Sequence, residues 1–128
     1  MKIVIGILEF KVVEQPMGAD TWVYRPVKQI NSATFTRYRR AWDEQGALVL
    51  LAHYWTTAGR AIATRRVGDE IGVIDNGIER RWRVSRIERQ ENVTPQSVKV
   101  YARGQVTFQT CFGVYGTGRI WVVCEQVR

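Results

Sequence analysis

Short apolar runs cut by Gly, Pro, Asn and Asp dominate the hydrophobic pattern of this chain. Runs of this length, rich in Val, Ile and aromatic residues, predict strands rather than helices. They fall at 2–13, 22–28, 47–52, 70–74, 80–87, 97–102, 105–110 and 119–125. Asp75-Asn76-Gly77 predicts a tight hairpin, because Asn and Gly accept the positive φ angles such a turn demands. The first strand is long, and Gly6 or the Glu14-Gln15-Pro16 stop is where it bends or splits.

Two segments carry a helical signal instead. Residues 32–42 begin with a Ser or Thr cap and bring Phe35, Tyr38, Arg39 and Trp42 onto one helical face. Residues 56–65 are rich in small side chains, open with Thr-Thr, follow directly on His53 and read as a short helix or a structured turn ending before Val67-Gly68-Asp69. No internal repeat, linker or low-complexity tract interrupts the chain. The expected architecture is all-β, a closed or nearly closed eight-stranded barrel with one or two short helices, formed by 1–128 as a single domain.

Composition refines this picture modestly. A length of 128 residues with 45% hydrophobic content is enough for one core. The net charge of +7 comes from 15 Arg and 4 Lys against 12 acidic residues, a balance that suits nucleic acid, anionic lipid or an acidic cell envelope. The densest basic run, Arg80, Arg81, Arg83, Arg86 and Arg89, alternates with Trp82, Val84 and Ile87. That is how the wet face of a half-buried strand reads, and no nucleic-acid motif accompanies it, so nucleic acid is not an expected partner. The apolar opening of the chain is broken by Glu9 and lacks a small-residue cleavage site, so a first strand is expected there rather than a signal peptide. No membrane anchor is read in this chain.

Two cysteines are too few for a disulfide scaffold, and Cys111 and Cys124 can pair only if their side chains face one another. Cys111 ends the strand Val106-Thr107-Phe108-Gln109-Thr110, and Arg119 opens the next one eight residues later. By alternation Val106, Phe108 and Thr110 share one face, and Thr107, Gln109 and Cys111 the other. Gly113, Gly116 and Gly118 let the intervening loop turn. The only histidine, His53, closes the apolar run Leu48-Val49-Leu50-Leu51-Ala52. A thiol becomes a useful nucleophile beside a base or a cation, and an imidazole is either. An arginine nearby holds a substrate carbonyl and stabilises the oxyanion of a tetrahedral intermediate. The remaining cysteine, Cys124, reads as a core residue.

The Thr-Phe-Gln-Thr-Cys stretch with Arg119 beyond it resembles the Thr-Leu-x-Thr-Cys…Arg signature of sortases, the cysteine transpeptidases of bacterial envelopes. The likeness extends to His53 at the end of its apolar strand, to Val67-Gly68-Asp69-Glu70-Ile71 after it, and to Trp82-Arg83-Val84. It covers about residues 47–125 and is poor before that. Ala52 stands where the family usually has Gly, Phe108 where it has Leu, and Phe112 where small or polar residues are common.

The resemblance implies that Cys111 attacks a backbone carbonyl of a Leu-Pro-x-Thr-Gly-like sorting signal and forms a thioacyl enzyme. It implies His53 as acid and base, and Arg119 as the group that binds the signal and stabilises the oxyanion. Thr110 is expected to help place the carbonyl. The loop at 88–104 corresponds to the family's signal pocket, with Val93, Pro95 and Val98 as apolar contacts, and Tyr54 and Trp55 are expected at the groove mouth. The implied partners are the sorting signal of a surface protein and an amine of cell wall or pilin, at an extracytoplasmic, cell-surface location. Some sortases bind calcium, but Asp69, Glu70, Asp75, Glu88 and Glu91 have no oxygen-cage spacing, so neither metal nor cofactor is expected. Two other readings remain open. One is a cysteine peptidase that only hydrolyses. The other is a non-enzymatic basic barrel that binds nucleic acid or an acidic envelope polymer.

Overall fold

A computed structural model describes residues 1–16, 33–39, 48–91, 106–112 and 118–127. Its strands are β1 (Lys2–Ile5), β2 (Leu8–Pro16), β3 (Thr34–Arg39), β4 (Leu48–Leu51), β5 (Glu70–Asp75), β6 (Ile78–Gln90), β7 (Val106–Phe112) and β8 (Gly118–Gln126). One short helix, α1 (Thr57–Ala63), lies between β4 and β5. The strands close in the order β1-β2-β3-β4-β7-β8-β6-β5, and β5 pairs back onto β1. Closure gives each of these described strands a partner on both sides.

The β2–β3 and β4–β7 pairs are parallel and the others antiparallel. The β4–β7–β8 wall is buried on both faces. Leu50, Phe108 and Val122 fill the barrel core, while Val49, Leu51, Thr107, Gln109, Trp121 and Val123 on the outward face are buried too. That explains why β4 reads as an unbroken run, Leu48-Val49-Leu50-Leu51, rather than an alternation.

The turns behave as their residues dictate. Gly6, at φ 62°, splits the long first run into the β1–β2 hairpin. Asn76 and Gly77, at φ 51° and 77°, form the two-residue connection from β5 to β6. Residues 56–65, expected as a short helix or a structured turn, form the helix α1 with Thr56 at its N-cap.

The helix expected at 32–42 is not present. Thr34–Arg39 is a strand, parallel to β2 and antiparallel to β4. Phe35 decides this. It is fully buried and packs edge-on against Phe10 at 5.5 Å and Phe108 at 5.3 Å between ring centroids. The strand also buries Thr34 and Thr36, and sheet pairing outweighs a weak helical periodicity. The strands expected at 22–28 and 97–102 lie outside the described residues.

A bulge in β6 shapes the wall beside β8. Register with β8 shifts between Val84 and Arg86, and the Ser85 hydroxyl donates to the Val123 carbonyl at 3.1 Å. Before the bulge Trp82 and Val84 turn toward the core, and after it Ile87 does. The extra residue therefore moves Arg86, Glu88 and Gln90 to the outward face.

Candidate active site

The register of three neighbouring strands brings the three candidate reactive residues to one end of the barrel. On β7 and β8, Cys111 pairs with Arg119. On β4 and β7, Leu51 pairs with Gln109, and the Ala52 N–H continues the ladder by donating to the Gln109 carbonyl at 3.1 Å. Two residues further along each chain, His53 and Cys111 come level. Gln90 of β6 completes the row as the partner of Arg119. One row below stand Leu51, Gln109, Trp121 and Glu88.

His53 is held by the turn that follows it. Its carbonyl accepts from the Thr56 N–H at 3.1 Å and the Thr56 hydroxyl at 2.6 Å. The same hydroxyl caps α1 by accepting from the Gly59 N–H at 3.0 Å. Gly59 is there because of closeness rather than flexibility: a Cβ on it would overlap the His53 carbonyl. The imidazole stacks on the Trp55 indole, with centroids 4.3 Å apart and planes 14° from parallel. Tyr54 meets Trp55 edge-on at 5.3 Å. Tyr54 and Trp55 are both exposed.

Arg119 is half-buried, and its Nη1 donates to the Gly118 carbonyl at 2.9 Å. The Trp121 indole N–H donates to the Gln90 carboxamide at 3.3 Å, tying β8 to the bulged strand. Arg86 and Glu88 form an ion pair at 2.9 Å on the same outward face. Thr107 Oγ1 and Gln109 Nε2 are buried without hydrogen-bond partners. Each unsatisfied buried atom costs about 1–3 kcal/mol. Thr110 alternates to the other side, where it is buried, so any contact with a substrate on the Cys111 side runs through its backbone. Val93, Pro95 and Val98 lie outside the described residues.

The second cysteine belongs to the core. Cys124 pairs in register with Val106, at the far end of the β7–β8 ladder from Cys111, and it is free. Burial pushes its thiol up to about 12, so it stays neutral and unreactive. A cavity of about 310 Å³ lined by Met1, Leu48, Trp82 and Val106 also opens at that far end, away from the candidate row. Among the described residues no group of three His, Cys, Asp or Glu side chains is placed to hold a metal ion. Asp69, one of the acidic residues considered for such a role, instead accepts from the Arg66 N–H at 2.9 Å and stabilises the turn into β5.

The sequence points to His53, Cys111 and Arg119 as candidates but not to the residues that hold them. Thr56 stands in the sequence only as the opening of a small-residue segment, with no sign that it caps α1 or grips His53. Gln90 reaches Trp121 only because of the bulge. The three-residue step from Val84 to Ile87, in a strand otherwise stepping by two, was the available signal.

No family model and no curated protein sequence matches this chain. Solved structures do. Sortase A from Corynebacterium diphtheriae, as a lid mutant, superposes with a TM-score of 0.69 at 15% identity over 99% of this chain and 69% of that one. Listeria monocytogenes sortase A gives 0.69 at 19% identity over 99% of this chain and 86% of that one. Clostridium perfringens sortase C, solved with the C-terminal cell wall sorting motif, gives 0.65 at 14% identity over 99% and 69%. At these identities the likeness is one of fold: the chain has the closed eight-stranded barrel of sortases.

Proposed function

We propose, from the premise of a sortase fold, that this protein is a sortase-like cysteine transpeptidase acting on a Leu-Pro-x-Thr-Gly-like sorting signal. The observation that carries the reading is the β4–β7–β8 register, which lines up His53, Cys111 and Arg119 at one barrel end. A nucleophile, an acid–base group and a cation on three adjacent strands are what acyl transfer through a thioester requires.

In the first step the Cys111 thiolate attacks the scissile carbonyl carbon. The guanidinium of Arg119 stabilises the oxyanion. The C–N bond breaks as the His53 imidazolium gives its proton to the departing amine, leaving a thioester and a neutral imidazole. An incoming amine then attacks the thioester, His53 takes its proton, and the Cys111 thiolate leaves. Water in place of the amine gives hydrolysis. Tyr54 and Trp55 flank the mouth, and the segment carrying Val93, Pro95 and Val98 supplies the apolar signal pocket. The sorting motif present with the C. perfringens sortase C is the type of ligand this reading calls for. The natural partners are the sorting signal of a surface protein and an amine of cell wall or pilin, met outside the cytoplasm. Among the described residues no helix is long and apolar enough to cross a membrane.

The test is incubation with a fluorogenic sorting-signal library and oligoglycine, followed by mass spectrometry of the protein. A thioacyl adduct on Cys111, a ligated product that needs the amine, and loss of both in Cys111→Ala and His53→Ala are expected. A thiol that never acylates across the library sinks the proposal. Cleavage without ligation at any amine concentration turns it into a hydrolase.

A further inference from the structure

We infer that Trp55 is a positioning residue for His53: its indole face fixes the imidazole plane and favours the protonated ring. The inference rests on His53 as the acid–base group proposed above and gives the neighbouring tryptophan a role in its chemistry.

Three observations meet here. The two rings stack at 4.3 Å and 14°, a face-to-face contact rather than a passing edge. Trp55 is 57% exposed, so most of this large apolar side chain is not used in packing the barrel. The backbone between the rings is fixed, because Thr56 closes onto the His53 carbonyl with two hydrogen bonds and is itself tied to Gly59. Tyr54 abuts the indole edge-on and limits its swing.

The geometry has a chemical consequence. A stacked imidazole has one face covered and keeps its rim open, and both ring nitrogens lie on the rim. The indole π face carries negative potential, so it attracts imidazolium more than neutral imidazole. Imidazolium is the form that pairs with a thiolate and protonates a leaving amine. Among the described residues, the titratable or charged groups in the same row and on the adjoining turn and helix are Tyr54 on the same turn, Arg60 on α1, Cys111 on β7 and Arg119 on β8. The two arginines oppose imidazolium and a Cys111 thiolate favours it. All four are unchanged when only Trp55 is replaced, so the difference reports the indole.

His53 is the only histidine, so a single imidazole signal can be followed by NMR against pH. The titration is run in a Cys111→Ala background, which removes thiol coupling from the apparent pKa. Trp55→Ala is expected to lower the His53 pKa by roughly half a unit, with Trp55→Phe restoring part of it. Trp55→Leu, which keeps apolar bulk without a π face, behaves like Trp55→Ala and covers the case where alanine disturbs the fold. With Cys111 restored, the alkaline limb of the kcat/KM profile moves down by the same amount.

An unchanged His53 pKa in a folded Trp55→Leu protein overturns the inference. So does a rise in KM with the pH profile intact, which marks Trp55 as groove wall alone. If no peptide is turned over but the pKa still falls, the stack is upheld and the transpeptidase reading is what fails.

Discussion

Gly59 packs so closely beneath His53 that one added methyl group overlaps the histidine carbonyl. Alanine favours a helix over glycine by up to about 1 kcal/mol. Displacing backbone costs about 1–3 kcal/mol, so the clash outweighs the propensity. Gly59→Ala is therefore expected to lower the melting temperature and to reduce kcat more than KM, because the imidazole moves with its backbone. Steady-state kinetics beside a thermal melt check this. The two cysteines differ as sharply. At pH 8 an alkylating reagent is expected to label Cys111 and spare Cys124 in the folded protein, read by peptide mass mapping. Cys124 also couples to stability, because its thiol stays protonated to about 12 when folded but ionises near its ordinary 9.0 when unfolded. The unfolded chain then holds fewer protons, so this contribution is complete below pH 9 and is lost as pH rises toward 12. Cys124→Val is expected to flatten that alkaline decline in denaturant titrations. At this scale the sequence was readable for chemistry. Residue types and order pointed to Cys111, His53 and Arg119, whereas the closeness of Gly59 to a carbonyl six residues back leaves no trace in a pattern of hydrophobicity.

At the scale of elements, the short turn from His53 into α1 and the bulge in β6 do the positioning. Thr56 stabilises the helix start and the histidine at once. Thr56→Ala is expected to cost about 1 kcal/mol, with Thr56→Ser retaining most of it, measured by chemical denaturation. Deleting Ser85 removes the extra residue and leaves a strict two-residue alternation, with Val84 and Ile87 still inward and Arg86, Glu88 and Gln90 still outward. The expected result is a folded barrel that loses about 1 kcal/mol with the Ser85–Val123 hydrogen bond, read by chemical denaturation. Loss of soluble protein after that deletion would show that the bulge itself is needed for the barrel to close. The hairpin at Asn76-Gly77 and the short small-residue segment that forms α1 were legible because turn chemistry and composition are local. Strand β3 was not. Its helical spacing was weak, and the contacts that override it come from Phe10 and Phe108, distant in sequence.

Across the whole molecule, the barrel carries the site on a wall buried on both faces, with the aromatic trio Phe10, Phe35 and Phe108 bracing the interior. Phe35→Ala is expected to cost about 3–5 kcal/mol, read from a denaturant midpoint, with activity at low temperature falling less than stability. With a charge of +7, salt-sensitive association with acidic polymers that survives Cys111→Ala is the outcome expected of the non-enzymatic reading, checked by binding at increasing salt. Exposed Arg80, Arg81 and Arg83 on β6 are the residues that would mediate it. The sequence by itself determined that this is a β protein of many short strands and which side chains have thiol chemistry available. It also located the turn at Asn76-Gly77 and offered Gly6 as one of two places for the first run to break. These depend on residue type and near neighbours, so they are written locally. Only the tertiary structure decided that β3 is a strand, that β4 and β7 run parallel, and that His53, Cys111 and Arg119 come level. Those outcomes depend on pairing between segments far apart in the chain, where burial and closure of the barrel, not local preference, choose the register.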